Sequence, residues 1–353
     1  MRRDSIGPFA DPASVLRMPA AMAQPAVFPR IPIAPTAPVL RGVVVRTPLE
    51  PFESGDPRLD LRLKLECLQE TGSFKARGAW NQIHHLDAEA CSRGVTATSS
   101  GNHGRALAWA ARRAGIRATI VMPEDAYPNK IAACRELGAE VVLGRDRTEA
   151  EALCAALVEG GATLIHPYDS ERTIQGAGTV GLEIAEDWDA VEVVVVPVGG
   201  GGLLAGSSLA LRELLGDQVV VIGAEPAGAP TMSRALAAGE PVEIEAITTV
   251  VQGLCPLSAG ALNTAVCTRT VRAVLTLTDA QILAAQARLV RAGWTVEPAG
   301  AAATAAVLTD DFFAALPPEF ARDRGPDNPL RVAAIVSGGN PAPGQVEGLL
   351  VQS

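Results

Sequence analysis

Apolar residues recur along this 353-residue chain in two rhythms, and the rhythm switches many times between Val43 and Val336. Residues 61–66 run Leu-Arg-Leu-Lys-Leu-Glu, the two-residue period of a half-buried strand, and the valine run at 43–45 predicts another strand within 42–49. A helix follows to about residue 86. Strand–helix pairs are then predicted over 95–99 and 104–114, 118–122 and 128–137, and 139–143 and 148–158, with a short strand over 162–165. A helix over 175–186 leads to 191–198, almost wholly apolar, as a central parallel strand is. Beyond it lie a helix over 203–215, a strand over 219–224, helices over 278–293 and 300–308, and a last strand over 331–336. Strands alternating with helices of this length predict an α/β fold with parallel sheets covered by helices. Residues 1–40 break the pattern. Pro25, Pro29, Pro32, Pro35 and Pro38 remove donors and fix φ, so this segment reads as an extended arm or tail outside the core.

Composition narrows the function classes. Hydrophobic residues make up 48% and charged residues 20%, which describes a globular protein with a sizeable core. A net charge of -9 argues against nucleic acid or an anionic membrane as the main partner, and 4% aromatic residues leave little for base stacking. The six cysteines form no CxxC pair and no zinc spacing with the four histidines, so reduced thiols and a cytoplasmic setting are expected. No apolar run reaches membrane-spanning length. The start Met1-Arg2-Arg3 lacks the apolar stretch of a signal peptide, because Asp4, Pro8, Asp11, Pro12 and Arg17 interrupt it.

Chemistry concentrates where predicted strands end. Thr71-Gly72-Ser73-Phe74-Lys75 sets one lysine at the head of a helix. Thr71 or Ser73 could cap that helix, and Phe74 could shield the amine from water. The corner Ser99-Ser100-Gly101-Asn102-His103-Gly104 offers N–H groups and hydroxyls to an anion, or is a capped helix start. Gly199, Gly200, Gly201 and Gly202, between a buried strand and a helix, make an anion cradle. With Ala205 they also satisfy a loose dinucleotide pattern, with Glu225 placed as its ribose acid. Ser337-Gly338-Gly339-Asn340 follows the last strand, and Glu297-Pro298 reads as a structural helix start. On the residues alone, a nicotinamide oxidoreductase and a phosphate-ligand enzyme both remain open, as does a non-catalytic binding protein.

In this order, the corners resemble one family, the fold-type II pyridoxal-phosphate enzymes, in the threonine/serine dehydratase and serine racemase branch. The resemblance runs from about Arg46 to Asn340 and is carried by Lys64-Leu65-Glu66, the Lys75 corner, 100–104, 176–184, 197–206, Glu225-Pro226, 297–301 and 337–340. It gives Lys75 and Ser337 roles that the dinucleotide reading leaves empty. It implies a two-domain, tryptophan synthase β-like fold: an extension over 1–40, a large cofactor domain over 41–93 and 171–350, and a small mobile domain over 94–170. Lys75 would form the Schiff base with pyridoxal 5'-phosphate and take the α-proton, with Phe74 against the ring and Asn102 on the ring hydroxyl. Gly199, Gly200, Gly201, Gly202 and Leu203 would hold the phosphate, and Ser337 would face the pyridine nitrogen. Ser99, Ser100, Gly101, Asn102 and His103 would take the substrate carboxylate.

The implied activity is an ammonia-lyase that turns threonine or serine into a 2-oxo acid and ammonia. Racemisation, with Ser100 opposite Lys75, and dehydration of 3-hydroxyaspartate are the alternatives within the family. A homodimer is the family default. Where racemases carry a second acidic metal ligand, this chain has Thr231, so Glu225 is only a tentative cation ligand.

Overall fold

The computed structural model describes residues 15–17, 29–99 and 101–351. Two sheets organise them. The larger has the order β1-β10-β9-β8-β11-β3-β2, where β1 is Val15–Arg17, β2 Leu49–Pro51, β3 Leu59–Lys64, β8 Val193–Pro197, β9 Val220–Pro226, β10 Ala273–Leu277 and β11 Leu330–Ile335. Its five central strands run parallel, and the two short edge strands β1 and β2 run antiparallel to them. The smaller sheet is parallel throughout, in the order β6-β5-β4-β7: β4 is Val95–Thr98, β5 Ala118–Pro123, β6 Glu140–Gly144 and β7 Thr163–Leu164.

The apolar run in β8 is explained by burial on both faces. Val193 and Val195 join one core with the helices Asp279–Arg291 and Pro298–Val307. Val194 and Val196 point the other way, into a core with the helices Glu171–Asp187 and Gly202–Leu215. Alternation of side chains across a strand makes both faces apolar here. The smaller sheet packs Val95, Ala97, Ile120 and Met122 against the helix Asn102–Ala114 and against Ala76, Ala79 and Ile83 of the helix Lys75–His84. The lysine-bearing helix is therefore shared. It contacts the small sheet's core on one side and the helix Glu171–Asp187 on the other, where a Cβ on Gly176 would lie 2.5 Å from the Arg77 carbonyl.

Three expectations need correction. The proline-rich arm is not outside the core over residues 29–40. Ile31 and Ile33 are buried against Ile174, the Ile33 N–H donates to Glu213 at 3.0 Å, and Pro32 accepts from Gln175. Its prolines start two short turns, Ala34–Thr36 and Ala37–Leu40, where a missing N–H costs nothing. Residues 43–45 form no strand. The Val45 N–H donates to the Gln69 side chain at 3.0 Å and its carbonyl accepts from Gln69 at 2.7 Å, so side chains satisfy the backbone that a neighbouring strand would have paired. Finally, β10 adds a central strand that periodicity had not marked.

Candidate active site

The parallel strands of the large sheet all end on one edge, where ligands bind in open α/β sheets. Lys75 begins its helix there. The Phe74 N–H donates to the Ser337 carbonyl at 3.1 Å, and Ser73 bridges Gly338, which fastens the lysine corner to the end of β11. Gly72 has φ +73°, and a Cβ on it would fall 2.4 Å from Oδ1 of Asn340, so glycine serves both the turn and the neighbour. Neither expected cap forms. Thr71 Oγ1 donates to the Ser73 carbonyl at 3.3 Å, and Ser73 Oγ is buried without a partner among the described residues.

The Lys75 amine donates to the Pro167 carbonyl at 2.7 Å and lies 5.0 Å from the centre of the Phe74 ring. No carboxylate pairs with it among the described residues, and burial pushes it down to about 8. Such an amine gives up its proton far more readily than an exposed lysine, which suits a nucleophile or base.

The four glycines follow β8. The ring of Tyr168 leaves no room for a Cβ on Gly200, its carbonyl leaves none on Gly202, and Gly201 has φ +96° against Met232 and Asn263. Gly202 and Leu203 are the first helical residues, and the helical ladder opens with the Ala205 N–H on the Gly201 carbonyl. The N–H groups of Gly202 and Leu203 precede that ladder and have no acceptor within the helix. Ser337 is buried, and among the described residues its hydroxyl makes only a long contact, 3.4 Å, to the Ala299 carbonyl.

Around Ser99 the picture is mixed. Ser99 Oγ accepts from the N–H of Gly101 and of Gly104, so this hydroxyl is occupied by its own turn. Ser100 lies outside the described residues. His103 departs from expectation: its Nε2 meets the Ile165 carbonyl at 2.7 Å, and burial, helped by the nearby Lys75 charge, lowers it to about 3. A neutral imidazole turned into the core leaves only its backbone N–H for an anion. Asn102 contacts Asn340 and Glu297.

Glu225 is engaged by the backbone that follows it. Its carboxylate accepts from the N–H groups of Met232 and Ser233, both at 2.9 Å, at the start of the helix Thr231–Ala238. Burial raises it to about 7. Among the described residues no three His, Cys, Asp or Glu side chains gather to hold a metal. None of the six cysteines is in a disulfide, and among the described residues no helix is long and apolar enough to cross a membrane.

One site residue escaped the sequence. Glu297 sits at the head of Pro298–Val307, buried, with its carboxyl against Asn102 and so close to Gly338 that any side chain there would collide with it. Burial raises it to about 7, although the Asn102 hydrogen bond pulls the other way. Its spacing looks like an ordinary helix start, and only the return of β11 reveals its neighbours.

Residues 40–322 match the family described as pyridoxal-phosphate dependent enzyme. The chain is 40% identical over 284 residues to an L-threonine ammonia-lyase from Thermotoga maritima, covering 80% of this chain and 67% of that protein. It is 38% identical over 265 residues to a phenylserine dehydratase from Ralstonia pickettii, covering 74% and 80%. Maize serine racemase superposes with a TM-score of 0.81 at 33% identity, covering 91% of this chain and 96% of that one. With its lysine, its glycine loop and its closing serine on one sheet edge, the chain belongs to the fold-type II pyridoxal-phosphate dependent enzymes.

Proposed function

We propose that this enzyme is an ammonia-lyase that dehydrates a β-hydroxy amino acid, threonine or serine, to a 2-oxo acid and ammonia. The observation that carries the reading is Lys75: an amine desolvated without a counter-ion, at the mouth of the sheet edge. The residues around it fit the cofactor. Gly199 to Leu203 supply a cradle that no Cβ obstructs, the Ser337 hydroxyl is nearly unengaged, and Lys75 is available for covalent attachment.

When bound, pyridoxal phosphate supplies an electron sink for charge at the substrate α-carbon. Lys75 would hold it, and the same amine, freed when the substrate's amine takes its place, would be the base for the α-proton. That proton can then leave with the β-hydroxyl as water. Ser337 would offer the ring nitrogen a neutral hydroxyl in place of a carboxylate, a pairing that suits prompt loss of the β-substituent. The N–H groups at the start of the helix Asn102–Ala114 would take the substrate carboxylate, with Ser99 holding their turn through the Gly101 and Gly104 N–H groups. The smaller sheet with its helices, roughly 94–170, closes over the substrate, and two chains pair as a homodimer, which light scattering checks.

The test is incubation with L-threonine, L-serine and L-threo-3-hydroxyaspartate in deuterated buffer, following keto acid and the configuration of the amino acid left behind. Keto acid without D-isomer is the expected result. Deuterated D-isomer that Ser100→Ala abolishes while elimination survives would make the enzyme a racemase, a reading favoured by its likeness to maize serine racemase. Neither product from any substrate overturns the proposal.

A further inference from the structure

Four polar side chains form one chain beside the lysine corner. Arg105 Nη1 donates to Asn340 Oδ1 at 2.6 Å, Asn340 Nδ2 donates to Asn102 Oδ1 at 2.7 Å, and Asn102 Nδ2 donates to Glu297 Oε1. Asn340 Nδ2 also donates to the Thr71 carbonyl at 3.0 Å.

The two ends of an amide have nearly the same shape, so only their partners decide which end is the oxygen. Here the decision is made twice over. A guanidinium has donors and no acceptor, so it must meet the oxygen of Asn340. The Thr71 carbonyl only accepts, so it must meet the nitrogen. Both anchors agree. Asn340 therefore presents N–H to Asn102, and Asn102 must answer with its oxygen. Its nitrogen is left facing Glu297, whose carboxyl accepts. The direction set at Arg105 passes through two amides without ambiguity.

An amide nitrogen carries two hydrogens, and Glu297 takes one. We infer that Arg105, Asn340 and Glu297 are positioning residues that fix the polarity of Asn102, so that it turns an N–H, and not its oxygen, toward the ring oxygen of the cofactor. This rests on the pyridoxal-phosphate reading of the Lys75 site. Reversing the amide would set its oxygen against Glu297 Oε1 and its nitrogen against that of Asn340, exchanging two hydrogen bonds for two repulsions.

The relay can be reversed by two isosteric changes whose charges cancel. Asn340→Asp keeps the Arg105 pair but faces Asn102 with an acceptor, which turns its amide over. Adding Glu297→Gln then gives the reversed Asn102 oxygen a donor. The full-length holoenzyme, N340D, and N340D/E297Q are compared for melting temperature without cofactor, and for the pyridoxal phosphate dissociation constant read from the visible absorbance of the bound form. N340D alone is expected to melt lower and to bind about 10- to 100-fold more weakly, the scale of one hydrogen bond to a charged group. The double variant is expected to regain the part of the melting temperature lost at Asn102 and Glu297, though not the part lost at the Thr71 carbonyl, which lacks its donor in both variants, and not to regain affinity.

Restored affinity in the double variant, or unchanged affinity in N340D, overturns the relay, because a merely structural role would return with the fold. R105M, at a half-buried position, gives a second reading. It frees one anchor, so affinity should fall about two- to tenfold, and R105K should restore it. R105M binding like wild type overturns the part assigned to Arg105 and leaves the Thr71 carbonyl as the anchor that sets the direction. Wild-type protein that binds no pyridoxal phosphate would instead overturn the site reading beneath it.

Discussion

Two sets of buried charge lie two residues apart on one helix, and they are built on opposite plans. Under the helix, Arg77 reaches Glu66 at 2.7 Å and Glu183 at 2.6 Å, Lys64 meets Glu183 at 2.7 Å, and Thr47, Thr179 and Gln69 fill further hydrogen-bonding positions. At the helix head, Lys75 has a carbonyl and an aromatic ring. In the first set partners outweigh burial. Burial alone would raise Glu66, but the Arg77 charge and hydrogen bonds hold it below the usual carboxylate range. In the second set burial wins: Lys75 is pulled down to about 8 and Glu297 pushed up to about 7. Paired charge is fixed in one protonation state and serves the fold. Desolvated charge without a counter-ion stays close to titration and serves chemistry.

The largest contrast comes from removing each cation. Lys75→Ala should cut keto-acid release by about 10^2- to 10^4-fold or more, the scale of a lost general base. The fold should not suffer. A buried ammonium is a burden below its folded pKa, so the cofactor-free variant should be at least as stable as wild type at pH 7. That advantage should fade as pH rises from about 8 towards 10.5, where the unfolded lysine also loses its proton. Kinetics and thermal melts over that range check both halves. A variant that loses stability at pH 7 would place Lys75 with the paired set.

Arg77→Met reverses the pattern. It leaves Glu66 and Glu183 buried without their shared cation and should cost about 3–5 kcal/mol of unfolding free energy, the range for breaking a buried pair from one side. Denaturant titration measures it. A loss well below that range would show that Lys64 and water cover the two carboxylates.

How much of this contrast the sequence disclosed depends on the distance between partners. Lys75, the four glycines and Ser337 were legible because each stands where a periodic segment ends, and strand ends in a parallel sheet share an edge. Glu297 was not, because a glutamate before a proline looks the same whether its carboxyl faces water or Asn102, which lies 195 residues away. The arm misled for a related reason. Prolines are read as extended chain, but Ile31 and Ile33 find Ile174 and the helices behind it, and tertiary burial overrides local propensity. At Val45 the Gln69 side chain supplies the pairing that a strand would take from neighbouring backbone.

The smallest effect separates the two sets by the sign of a slope. Glu66 is held below its unfolded value, so it contributes stability above about 4.5 and loses it as pH falls through its lower folded value. Glu297 is raised from 4.5 to about 7, so the folded state binds its proton more tightly than the unfolded chain does. Its contribution is greatest in acid and declines as pH rises from about 4.5 to about 7. Glu297→Gln removes that decline and leaves an acceptor for Asn102. Wild type and variant, both cofactor-free, should therefore draw apart across this window, with the variant gaining relative stability until about pH 7 and keeping it above. Glu66→Gln should show the opposite trend: its deficit is largest at neutral pH and shrinks in acid, where wild type loses the same carboxylate. Parallel stability curves for Glu297→Gln and wild type would mean that Glu297 is ionised throughout, paired by a cation as Glu66 is, and the division between the two sets would fall.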